Sequence, residues 1–153
     1  MTKIGILSCS NSTQDARCCT FGCLEALNKN EDCFAFYSKS GGATLTGIIN
    51  CNGCPTVVAP EKILSSARSL AGVGVEVIHF SSCMVAVCPY VQKFKSLIEQ
   101  NFPSVKVVLG THGNMENKES LDFFRAGLKN ILLHKRFEMI DFIQEIMKDK
   151  PSA

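Results

Sequence analysis

The chain has 153 residues, 46% of them hydrophobic and 20% charged, with a net charge of +2. That length suits one compact domain, and the apolar content excludes a disordered chain. Near-balanced charge without a Lys/Arg block excludes an electrostatic footprint for nucleic acid or an anionic membrane.

The chain opens on Lys3 to Ser8, an apolar run that predicts a first strand. The run is too short for a signal peptide, and no segment approaches the ~20 apolar residues of a membrane span, so a cytoplasmic protein is expected. Ser10 to Arg17 reads as a polar loop. A short helix is expected from Cys19 to Asn28, with Phe21, Leu24 and Leu27 on one face. Phe34 to Tyr37 reads as a second strand, Gly41-Gly42 as a turn, and Leu45 to Ile49 as a third strand.

Pro60 marks a helix start, because its fixed φ suits a first turn. Ile63, Leu64, Ala67 and Leu70 recur at helical spacing, and Gly72 and Gly74 end the segment. Val75 to Phe80 is a fourth strand. Pro89 opens another helix, with Val91, Phe94, Leu97 and Ile98 inward and Pro103 closing it. Val105 to Leu109 is a fifth strand. From Asn114 onward a helical tail is expected. Its apolar stripes, Leu121, Phe124, Leu128 and Ile131 and then Phe137, Ile140, Ile143 and Met147, could cover a sheet face or form a homodimer contact.

Strands alternating with helices predict a single three-layer α/β domain. Its sheet would be mostly parallel, with about five strands in a flavodoxin-like order. The α/β domain spans 1–113, and the tail, 114–153, packs on it.

Nine cysteines stand out. Their odd number, the absence of an export signal and an adequate core argue against a disulfide framework and for metal or thiol chemistry. Cys9 follows the first strand, Cys51 and Cys54 the third, Cys83 the fourth, and His112 the fifth. Cys88 opens the helix beyond Cys83, where the helix dipole would favour a thiolate. All lie past the carboxyl ends of strands, the edge where open α/β sheets form sites. Cys51-Asn52-Gly53-Cys54 is a Cys-x-x-Cys turn that lets two sulfurs face one ion, and Gly53 permits a positive φ. Cys23, with Cys18 and Cys19, lies at the start of the first helix on the same edge. Cys33 reads as a lone buried hydrophobe, His79 as a satisfied core histidine and His134 as a surface residue.

Cys51-Asn52-Gly53-Cys54-Pro55, Ile78-His79-Phe80-Ser81-Ser82-Cys83, Cys88-Pro89-Tyr90 and Gly110-Thr111-His112, in that order, resemble the CGGC-domain family over residues 1–113. Asn52 stands where that motif has its first glycine. The family is described as metal-binding, without an established activity. The resemblance therefore implies site roles for Cys51, Cys54, Cys83, Cys88 and His112.

The leading expectation is a metal ion as partner, zinc or else an iron–sulfur cluster, with ligands from Cys9, Cys23, Cys51, Cys54, Cys83, Cys88 and His112. A thiol–disulfide role for Cys51 and Cys54 is the alternative. The sequence argues against a phosphatase-type Cys-x5-Arg loop, because Asp15 occupies the arginine position after Cys9 and Arg17 comes two residues late.

Overall fold

A computed structural model of the chain describes residues 1–14, 17–53, 60–113, 117–119, 121–123 and 125–127. β1 (Thr2–Ser8) leads into α1 (Ser10–Gln14) and α2 (Phe21–Lys29). A 3-10 helix (Asp32–Lys39) precedes β2 (Ala43–Asn50) and α3 (Pro60–Gly72). β3 (Val77–Phe80), α4 (Ser82–Val87), α5 (Val91–Asn101) and β4 (Lys106–Leu109) complete the order.

Among the described residues the sheet is four-stranded, ordered β2-β1-β3-β4, and every pairing is parallel. The chain steps from β1 to β2 on one side, then crosses back to β3 on the other. The switch point thus falls at the carboxyl end of β1, beside Cys9.

Alternate strand residues feed two cores, one per face. Leu7, Ile78, Phe80 and Val107 pack with Ile63, Ala67 and Leu70 of α3 and with Phe94 and Ile98 of α5. Ile4, Ile6 and Val77 pack on the opposite face with Cys23 and Ala26 of α2 and with Phe34 and Tyr37. Helices on both faces make the three layers. Gly5 seats α3 close to β1, since a Cβ there would lie 2.9 Å from a Leu70 methyl.

Four expectations change. The strand expected over Phe34–Tyr37 is 3-10 helix, which is why the sheet has four strands and not five. Residues three apart eclipse in a 3-10 helix, so Phe34 and Tyr37 are buried together while Phe36 points outward. Ser10–Gln14 is a short helix and not a loop, held by Thr13, whose amide and hydroxyl both donate to the carbonyl of Cys9. α2 buries Cys23 and Ala26, whereas Phe21 is 66% exposed. Finally, Cys88 does not open a helix. It caps the carboxyl end of α4, its amide donating to Met84 O, and precedes α5, which begins at Val91.

The expected tail lies mostly outside the described residues. Those described at 118–119, 121–123 and 125–127 are helical, and Arg125 Nε donates to Ala86 O of α4 at 2.8 Å. Among the described residues no helix is long and apolar enough to cross a membrane.

Candidate metal centre

β1 and β2 run in register through Ser8 and Asn50, and the Cys51 amide donates to Ser8 O at 2.9 Å. The next residue of each strand end, Cys9 and Cys51, is therefore a cross-strand neighbour. Across that step the two thiols act on each other, Cys51 raising Cys9 and Cys9 lowering Cys51. The Ser10 amide adds a contact to Cys51 Sγ at 3.5 Å, and the Ser10 hydroxyl lies at 3.7 Å.

Those donors act on charge. The Cys9 hydrogen bond pulls the Cys51 thiol down to about 5 against the effect of burial, and the amides of Ser10 and Gly53 assist. Cys9 moves the opposite way, held protonated by its bond to Cys51 and by burial. The pair therefore favours the charge on Cys51 and the proton on Cys9.

The turn carrying Cys51 is fixed from below. Asn52 and Gly53 both have positive φ, 65° and 85°. Asn52 Nδ2 donates to Lys62 O at 3.1 Å and to Ser66 Oγ at 2.7 Å, and Ser66 Oγ donates to Asn50 O at 2.9 Å. The side chain that replaces glycine in the motif thus ties the turn to α3. Cys54 lies outside the described residues.

A cavity of about 260 Å³ opens beside the pair. Cys9, Cys51 and Cys88 share its wall, and Met84, Val87, Pro89, Tyr90 and Phe94 make the rest of it largely apolar. Cys88, reached through α4, thus faces the same space as the thiols at the ends of β1 and β2.

Cys23 and His112 form a second group. Cys23 Sγ lies 3.2 Å from Thr111 Oγ1 and 3.6 Å from His112 Nδ1. Burial pushes Cys23 up to about 11, with Cys83 and Cys18 adding negative potential. Burial likewise lowers His112, partly offset by Asp32. Cys83 borders both groups. It packs against the core that contains Cys9, acts on Cys23, and contacts Ser81 Oγ at 3.1 Å. Among the described residues, no three His, Cys, Asp or Glu side chains already stand close enough to share an ion.

Sequence reasoning missed the residues that position these groups. Ser82 Oγ accepts the amides of Thr111 and His112, both at 3.0 Å, and donates to His112 O. His79 Nδ1 lies 3.0 Å from Gly110 O, which orients the same loop from within the core. Gly22 lets the His112 ring settle on α2, since a Cβ there would meet the ring at 3.0 Å. Ser82 and Gly110 sit inside the quoted motifs, and that placement was the available signal. Nothing local marked Gly22.

A parallel sheet with cysteines gathered at its carboxyl edge defines a cysteine-rich α/β domain. The chain belongs to the CGGC domain family, whose profile matches residues 3–112. It is also similar to an uncharacterized protein of Methanocaldococcus jannaschii, 38% identical over 69 residues, which span 42% of this chain and 96% of that protein. No solved structure matches the chain.

Proposed function

We propose that this CGGC domain holds a thiophilic metal on Cys9, Cys51, Cys54 and Cys88. The supporting observation is the Cys9–Cys51 pair, with Cys88 on the wall of the same cavity. Thiolate is the form that binds metal, and the neighbours of Cys51 favour it. Cys9, Cys51 and Cys88 do not already stand close enough to share an ion, so binding would draw these sulfurs together with Cys54. Four sulfurs suit tetrahedral zinc, and an iron–sulfur cluster would use the same four. Amide donors such as Ser10 N–H stabilise ligating sulfur. When bound, the metal would supply a structural anchor for the strand ends or Lewis acidity toward a ligand in the cavity.

Cys23 and His112 stand apart from this set as a thiol–imidazole pair. Replacement by alanine separates the groups. Cys51→Ala, Cys54→Ala and Cys88→Ala each lower the bound metal well below the parent's, whereas His112→Ala leaves it unchanged. Unaltered metal content in Cys51→Ala would remove the pair from the ligand set.

A further inference from the structure

The placement of Cys9 beside Cys51 bears on more than ion binding. The two thiols sit one residue beyond a paired register position on adjacent parallel strands, and the backbones are clasped there by the Cys51 N–H bond to Ser8 O. Neighbouring strands lie roughly 4.8 Å apart, inside the Cα separation that a disulfide spans without backbone movement. The two are also unequal. Both line the cavity, but Cys9 is 6% exposed whereas Cys51 is half-buried. An accessible sulfur backed by a buried partner is the arrangement in which one thiol attacks and the other resolves.

We propose that, in the metal-free chain, Cys51 and Cys9 form a dithiol that reduces small organic disulfides with uncharged flanks seated in the adjoining cavity. The Cys51 thiolate attacks one sulfur of the substrate. A Cys51–substrate disulfide forms, the substrate S–S bond breaks, and the first thiolate leaves. Cys9 then gives up its proton to that thiolate and attacks Cys51 Sγ. The Cys9–Cys51 disulfide forms and the second substrate thiolate leaves, taking a proton from solvent. The substrate gains two electrons and the protein loses two. An external dithiol returns the pair to the reduced state by the reverse exchange. The substrate class follows from the cavity wall, where Met84, Val87, Pro89, Tyr90 and Phe94 present apolar surface that a charged flank would have to desolvate.

This reading names Cys9 as the partner of Cys51, in place of the Cys54 that the Cys-x-x-Cys spacing suggests. It goes beyond the metal reading and stands or falls without it. The test uses the full chain carrying Cys18→Ser and Cys19→Ser, both exposed positions. The protein is reduced, stripped with chelator and treated with one equivalent of bis(2-hydroxyethyl) disulfide. Peptide mapping under acid then identifies the partner of Cys51. The expected result is loss of the Cys9 and Cys51 thiols together, with a Cys9–Cys51 linked peptide that dithiothreitol resolves. Cys9→Ser and, as a smaller replacement at a buried position, Cys9→Ala should stop at a mixed disulfide on Cys51. The dicarboxylate 3,3'-dithiodipropionate should react more slowly with the parent. A Cys51–Cys54 or Cys51–Cys88 linkage would overturn the pairing. Equal or faster reaction of the dicarboxylate would overturn the substrate class.

Discussion

Tyr37 Oη lies 2.9 Å from His79 Nε2, joining the 3-10 helix to β3 through the middle of one core. His79 is fully buried, and its other nitrogen faces Gly110 O, a group that can only accept. The proton therefore sits on Nδ1, and Nε2 accepts from Tyr37. Tyr37→Phe removes that donor and strands a buried acceptor. The expected cost is about 1–3 kcal/mol, read from denaturant midpoints at constant m. No loss of stability in Tyr37→Phe would mean that the bond adds nothing to the fold.

The same histidine sets an acid limit. Burial lowers His79 from its ordinary 6.5 to about 4. Between those values the unfolded chain binds the proton and the folded chain does not. Stability is therefore complete above pH 6.5 and declines as pH falls toward 4, by on the order of 3 kcal/mol in total. Denaturation of the parent and of His79→Gln at pH 7 and pH 4.5 isolates this effect by difference. Parallel losses in the two proteins would assign the acid sensitivity to other groups.

Ser82 is buried, and its hydroxyl satisfies both the Thr111 and the His112 amides. Ser82→Ala leaves one buried and one part-buried donor without that oxygen and is expected to destabilise by about 1–3 kcal/mol. It should also free the loop, so that the Thr111 and His112 amides exchange with deuterium faster while amides in β1 do not. Unchanged exchange at Thr111 and His112 would show that the loop is held by other contacts.

Reactivity reports on the cysteine pair directly. In metal-free, reduced protein, iodoacetamide should modify Cys51 with a half-maximal rate near pH 5, far below an ordinary thiol. Cys9→Ala removes the largest cause of that shift and should move the midpoint upward. A parent midpoint in the usual thiol range would show that Cys9 does not stabilise a thiolate.

Much of the fold is legible in the sequence because burial leaves periodic traces. β1, β3 and β4 are apolar runs bounded by polar or glycine residues, and α3 and α5 repeat apolar residues every three or four positions. Phe34–Tyr37 was not legible, because a four-residue apolar run fits a strand or a tight helix equally. α4 was hidden because Ser82–Val87 is a single short turn of apolar residues between two motifs. The edge placement of Cys9 and Cys51 followed from the βα pattern. Their standing as cross-strand neighbours did not, since it depends on β1 and β2 pairing. The separation of Cys23 and His112 into their own group likewise follows from strand order, with β4 at the far edge of the sheet from β2.

Metal analysis with a visible spectrum, on full-length protein purified without oxygen or chelator, tests the thiolate centre most directly. The expected result is about one equivalent of zinc in a colourless solution, or iron with sulfide in a brown one, lost in Cys51→Ala and kept in His112→Ala. Parent protein that carries no metal, and takes up none when zinc is added to the reduced chain, would contradict it.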